Sequence, residues 1–113
     1  MAEMIARFQA LLESGQDSPM LRLALANALI AAGRHAEAIE HLEQALEQDP
    51  EYSAAWKRLG WVLLETGAPA RAAEICERGI EVARGRGDLQ AVKEMEVFAR
   101  RARKQLDAPK RDS

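Results

Sequence analysis

The chain has 113 residues, 48% hydrophobic and 30% charged, a balance that excludes a disordered polyelectrolyte and suits one small folded domain. The formal net charge is only -2, but it is unevenly placed: residues 1–83 carry 7 Lys/Arg against 13 Asp/Glu, and residues 84–113 carry 9 against 5. The single cysteine, Cys76, excludes an internal disulfide and fits a reducing compartment.

Residues 1–15 contain Glu3 and Glu13 and no long apolar run, unlike a secretory leader. No stretch approaches the roughly 20 apolar residues a membrane span needs. The expected setting is therefore cytoplasmic, with no membrane partner. Alanine and leucine dominate the apolar content, and β-branched residues are few, so helices are expected throughout.

Gly and Pro divide the chain at residues 15–19, 33–34, 49–50, 67–69 and 85–87. The segments between them have helical periodicity. The first places Ile5, Phe8 and Leu12 on one face. The second, residues 20–32, is apolar almost all round and is broken mainly by Arg22 and Asn27. The third, 35–48, sets Ala38, Ile39, Leu42, Ala45 and Leu46 against a polar face of Glu37, Glu40, Glu43 and Glu47. The fourth, 52–66, carries Trp56, Leu59 and Leu63 on one stripe. The fifth, 70–84, carries Ala72, Ala73, Cys76 and Ile80. The last, 88–106, carries Val92, Met95, Ala99, Ala102 and Leu106 behind an N-cap at Asp88.

An offset of 34 residues superimposes these features. Leu25, Leu29 and Gly33 fall on Leu59, Leu63 and Gly67; Ala38 falls on Ala72, and Leu46 on Ile80. One period earlier, Phe8 and Leu12 align with Leu42 and Leu46. The second copy reads Trp56-x2-Leu59-Gly60-x2-Leu63, then Ala72-x3-Cys76. The first reads Arg22-x2-Leu25-Ala26-x2-Leu29, then Ala38-x3-Leu42, then Pro50. This spacing resembles the tetratricopeptide repeat. There are departures: Arg22 stands where the pattern has Trp, Arg84 where a second Pro belongs, and Leu11 where Ala45 and Gly79 fall. After Gly87 the register slips, and Lys93 lands in the place of Leu25 and Leu59.

The resemblance implies an all-α, right-handed superhelix of antiparallel hairpins with about six helices. The expected organisation is a single domain over residues 1–107. It comprises a half-repeat helix at 1–15, repeats at 19–52 and 53–86, and a capping helix at 88–106. Residues 108–113 are expected to form a disordered tail. Small residues at Ala26/Gly60 and Ala38/Ala72 let helix backbones approach closely, and Leu25/Leu59 and Leu42/Cys76 fill the space around them.

No catalytic set converges, and no cofactor or metal is expected. His35 and His41 are six residues apart, which puts them on different helix faces, whereas two metal ligands on one face need a spacing of four. Cys76 occupies the core place of Leu42 and Phe8 and reads as a structural thiol. Glu74, Glu77 and Glu81 read as surface charges.

The resemblance also implies a protein or peptide partner held in a groove lined by the first helix of each hairpin. A second stripe fits that role: Met20, Leu23, Asn27 and Ile30 on one helix, and Ala54, Lys57, Trp61 and Leu64 on the other. Both have 3, 4, 3 spacing, so each forms one face. Trp61 is the natural anchor, and Lys57, Arg58 and Asn27 can orient a carboxylate or backbone. Members of the family that grip a C-terminal carboxylate use a Lys and Asn pair on this helix. Here Leu23 stands in the Lys place, so that ligand is not implied. Three other readings stay open. The stripe can pack against the end helices, or it can make a homodimer. The basic residues Arg100, Arg101, Arg103, Lys104, Lys110 and Arg111 can bind nucleic acid weakly, although no aromatic but Phe98 accompanies them.

Overall fold

The computed structural model describes residues 2–108. Lys110, Arg111 and all of the expected tail except Ala108 lie outside the described residues. Within them, six helices follow one another: α1 (Ala2–Glu13), α2 (Pro19–Ala31), α3 (His35–Gln48), α4 (Ser53–Glu65), α5 (Pro69–Gly85) and α6 (Leu89–Asp107). This is an all-α helical repeat.

The helix ends follow from local chemistry. Ser18 caps α2 by accepting a hydrogen bond from the Leu21 N–H at 3.1 Å, and Pro19 supplies a preset first turn. Asp88 caps α6 by accepting from the Ala91 N–H at 3.2 Å. Gly33 and Gly67 terminate α2 and α4 at φ 77° and 80°, a conformation disfavoured for residues with a Cβ. The turn lets the next N–H reach back five residues: Arg34 donates to the Leu29 carbonyl at 2.8 Å and Ala68 to that of Leu63 at 2.9 Å. One turn chemistry at two places 34 residues apart makes two like hairpins, α2/α3 and α4/α5.

The hairpins stack through α3 and α4, α1 packs on α2, and α6 packs on both α5 and α4. The result is thin, 48 × 40 × 19 Å, as expected of two layers of helices. Leu25, Leu29, Leu42, Leu59, Val62, Cys76 and Met95 are fully buried. The small residues set the closest approaches. A Cβ on Gly60 would lie 2.5 Å from the Cys76 sulfur, and one on Gly79 would lie 2.7 Å from the Trp56 Cβ and 2.6 Å from the Met95 sulfur.

Candidate interaction surface

The second stripe divides into an open half and a covered half. On α2, Met20 is 74% exposed and Asn27 is exposed, whereas Leu23 and Ile30 are half-buried against the core. On α4, Ala54, Lys57, Arg58 and Trp61 are half-buried and Leu64 is only 3% exposed. Leu64 therefore packs inward and cannot present its side chain to a ligand. The reason is crowding: α4 has neighbours in α3, α5 and α6, which narrow its solvent-facing arc.

α6 covers the α4 half with side chains in matching order. Lys57 pairs with Glu94 at 3.3 Å, and Arg101 approaches Glu65 at 3.8 Å. Phe98 joins Lys57, Arg58, Trp61 and Glu94 around a cleft of about 220 Å³. The Arg58 guanidinium lies over the Trp61 ring, 5.5 Å from its centroid. That geometry holds the indole flat and leaves the cation without a carboxylate partner among the described residues.

The α2 half opens onto two adjoining clefts that share Ser18 and Met20. One, about 420 Å³, is lined by Ser18, Pro19, Met20, Asp49 and Tyr52. The other, about 300 Å³, lies between α1 and α2 and adds Phe8, Leu11, Leu21 and Ala24. Sequence reasoning placed Met20 on a stripe but missed Tyr52, Phe8 and Leu11 as its neighbours. Tyr52 sits one 34-residue period after Ser18, at the hairpin junction, and that register could have pointed to it.

Beside this surface lies a polar network. Arg22 donates to both Asp17 carboxylate oxygens, at 2.8 and 2.6 Å, and Gln48 donates to Asp17 at 2.9 Å. Arg22 also lies 3.0 Å from the His41 Nδ1. A guanidinium can only donate, so Nδ1 accepts, and the neutral ring carries its proton on Nε2. The Arg22 hydrogen bonds, and then that of Gln48, hold the Asp17 carboxyl far below the usual range. Burial, then the Arg22 charge, lowers the His41 pKa. These contacts fix the turn before α2; they do not form a reacting set.

Cys76 is fully buried, and burial pushes its thiol up to about 11, so the thiolate that reactivity requires is suppressed. Among the described residues no three His, Cys, Asp or Glu side chains gather as metal ligands do. No described helix is long and apolar enough to cross a membrane.

The repeat has counterparts in known proteins. Residues 29–95 match a sequence profile of the tetratricopeptide repeat, and residues 5–41 match a second profile of the same description. The chain is 42% identical over 98 residues to the TPR repeat-containing protein PA0015 of Pseudomonas aeruginosa, covering 87% of this chain and 93% of that one. It is similar to the solution structure of protein BPP2914 from Bordetella parapertussis, with a TM-score of 0.78 and 39% identity over 90% of this chain and 89% of the other. It is also 43% identical over 68 residues to the heat-shock protein cognate co-chaperone sgt12 of Aspergillus fumigatus, covering 60% of this chain but only 20% of that protein. With the repeated hairpin spacing, the shared turn chemistry and these matches, the chain belongs to the tetratricopeptide repeat family.

Proposed function

We propose that the chain is a protein-interaction module that holds a peptide or helix of a partner along the open half of its second stripe. One observation carries this reading: Met20 stands 74% exposed between two adjoining clefts lined mainly by apolar side chains. Solvent-exposed methionine is an adaptable contact for apolar partner side chains. Phe8, Leu11 and Tyr52 border its clefts, Leu23 and Ile30 continue the stripe along α2, Asn27 offers hydrogen bonds to a partner backbone, and Arg58 offers an unpaired cation held against Trp61. Lys57 contributes less than its position suggests, because Glu94 already neutralises it. Leu64 plays no direct part.

The co-chaperone relative supports an interaction role in class, over the one-fifth of that protein which this chain spans. The proposal includes a reducing, cytoplasmic setting, in keeping with one buried thiol. It also assigns the 88–106 segment to a cap that shields the α4 half of the stripe.

The test is to select peptides from a random display library on the full chain and titrate the binders by calorimetry. Met20→Glu is expected to weaken them about tenfold or more, roughly 1.4 kcal/mol, with an unchanged melting temperature. Trp61→Ala is expected to weaken them less, because Phe98 and Arg58 already occupy part of its surface. Binders indifferent to Met20→Glu would overturn the assignment of the surface.

A further inference from the structure

The 34-residue register fails after Gly87, but an offset of 36 restores it, and the helix starts agree: α4 begins after Tyr52 and α6 after Asp88. At that offset the buried Val92, Met95 and Ala99 of α6 take the places of Trp56, Leu59 and Leu63 of α4. The second stripe then continues onto a third helix, with Lys93, Val97 and Arg100 in the places of Lys57, Trp61 and Leu64. Their surroundings differ. On α4, Lys57 is paired with Glu94, Trp61 is half-buried and Leu64 is buried. On α6, Lys93 and Arg100 are exposed and Val97 is 43% exposed, because no described helix follows α6 to cover them.

Helix geometry brings these side chains together. At about 3.6 residues per turn, Lys93, Val97, Arg100 and Lys104 fall within an arc of about 60°. That arc is nearly opposite the buried face of Ala91, Val92, Met95, Ala99 and Ala102. Lys93, Arg100 and Lys104 have no carboxylate within ion-pair distance among the described residues. Arg101 and Arg103, outside the arc, approach Glu65 and Glu77. Glu94 and Glu96 lie on its two sides and are engaged by Lys57 and Arg84, and Asp107 ends it one turn beyond Lys104. The helix dipole accounts for a cation in the last turn, such as Lys104, but not for Lys93 near the N-terminus.

We propose that this stripe of α6 docks an acidic segment of another protein, with side-chain carboxylates of the segment on Lys93, Arg100 and Lys104 and an apolar side chain on Val97. The free cations set the sign of the partner. The width of the stripe sets its kind. The basic run is one helix wide, bounded by Glu94 and Glu96, and the adjoining α5 exposes Glu74 and Glu81. A nucleic acid or an anionic bilayer extends past such a strip and meets these carboxylates, whereas a single peptide does not. The stripe carries no aromatic on which a base could stack. The broad apolar face with which a helix enters a membrane is, in α6, packed on α4 and α5. The chain's own glutamates on α3 and α5 come without a large exposed apolar side chain to cover Val97, which disfavours a second copy. Lys93, Arg100 and Lys104 are spaced by seven and four residues, about 10.5 and 6 Å along the axis. They therefore suit carboxylates distributed along a segment rather than one terminal carboxylate.

Selection of peptides from a random display library on the full chain, followed by calorimetry, tests this. A class of acidic binders is expected. Replacing Lys93→Gln and Arg100→Gln together is expected to weaken that class about tenfold or more, with an unchanged melting temperature, and added salt is expected to weaken it further. Arg84→Gln with Arg103→Gln removes the same charge outside the arc and is expected to leave these binders within about twofold, as are Met20→Glu and amidation of the peptide C-terminus. A library that yields no acidic binders would overturn the proposal, and an equal loss in the Arg84 and Arg103 variant would reduce the effect to net charge and overturn it too. Binders lost on amidation would make the ligand a terminal carboxylate, and binders lost in Met20→Glu would belong to the α2 clefts; either result rejects the α6 assignment. A single-stranded oligonucleotide or phosphatidylserine vesicles held more tightly than the peptides, through Lys93 and Arg100, would replace the acidic segment with a polyanion. Self-association in sedimentation velocity that disappears in the Lys93 and Arg100 variant would replace it with a second copy. Peptide binding at Met20 can fail without affecting any of these outcomes.

Discussion

Residues 22 and 56 are one place in the repeat, filled in opposite ways by the two hairpins. Trp56 is buried, donates its indole N–H to the Pro50 carbonyl at 2.7 Å, and lies beneath the Arg78 guanidinium at 5.0 Å. Arg22 instead reaches outward to Asp17 and across to His41. The exchange extends to the neighbours. His41 of the first hairpin aligns with Ile75 of the second, which lines a cleft with Trp56. Ala45 aligns with Gly79, where any Cβ would collide with Trp56. One backbone thus accepts either a polar surface network or a buried aromatic, provided several positions change together. The aromatic version derives its stability from burial, and the polar version from one half-buried ion pair and the hydrogen bonds around it.

The largest expected effect follows from that contrast. Trp56→Ala is expected to lower the unfolding free energy by about 3–5 kcal/mol in a denaturant titration, since it empties a buried site. Arg22→Ala at the same repeat position is expected to cost less than about 1 kcal/mol, because its partners can turn to water. Equal losses would show that the two hairpins use this place in the same way.

Gly79→Ala comes next. A methyl there gains about 1 kcal/mol of helix propensity but must displace the Trp56 Cβ at 2.7 Å and the Met95 sulfur at 2.6 Å. Overpacking of about 1–3 kcal/mol outweighs the gain, so net destabilisation is expected. Only the Met95 end is flexible enough to yield. Made in a Trp56→Ala background, which removes the Cγ contact at 3.3 Å but keeps the Cβ, the same substitution is expected to cost less while remaining destabilising. A double-mutant cycle reads this coupling directly. In the first hairpin, where Ala45 is already present, Ala45→Gly is expected to lose about 1 kcal/mol.

Local patterns made some of this legible in the sequence. The 34-residue offset and the glycine stops gave both hairpins, because turn and core residues recur at fixed spacing. The same offset exposed Arg22 as a departure and Gly79 as a partner of Ala45. It did not identify what Arg22 binds, because Asp17 comes from the turn before α2 and His41 from α3. A helical wheel placed Leu64 beside Trp61, but a wheel contains no neighbours, and α4 turned out to be enclosed on three sides. The slipped register of α6 was visible. That it lays Glu94, Phe98 and Arg101 alongside Lys57, Trp61 and Glu65 depends on how the helices cross, which no local spacing encodes.

The smallest expected effect is a pH dependence confined to the first hairpin. His41 is held below its ordinary value of 6.5 by burial and by Arg22, against the opposing pull of Glu40, Glu37 and Asp17. The folded chain thus binds the proton less readily than the unfolded chain. The stability that neutral His41 provides is complete above its ordinary pKa and is lost as pH falls from there towards the folded value. Protonation would also place a donor at Nδ1 where Arg22 already donates, so the cross-hairpin contact must open. Asp17 acts lower down: its contribution persists until the pH falls below its ordinary value of 3.8. Thermal melts between about pH 7 and 5 are expected to decline gently in the wild type and to flatten in His41→Gln, which keeps an acceptor but does not titrate. Ile75, in the matching place, cannot titrate. An Arg22→Trp, His41→Ile, Ala45→Gly chain, which gives the first hairpin the residues of the second, is therefore expected to lose the same slope. A slope unchanged in both variants would assign the acid sensitivity to another part of the molecule and separate it from the contrast between residues 22 and 56.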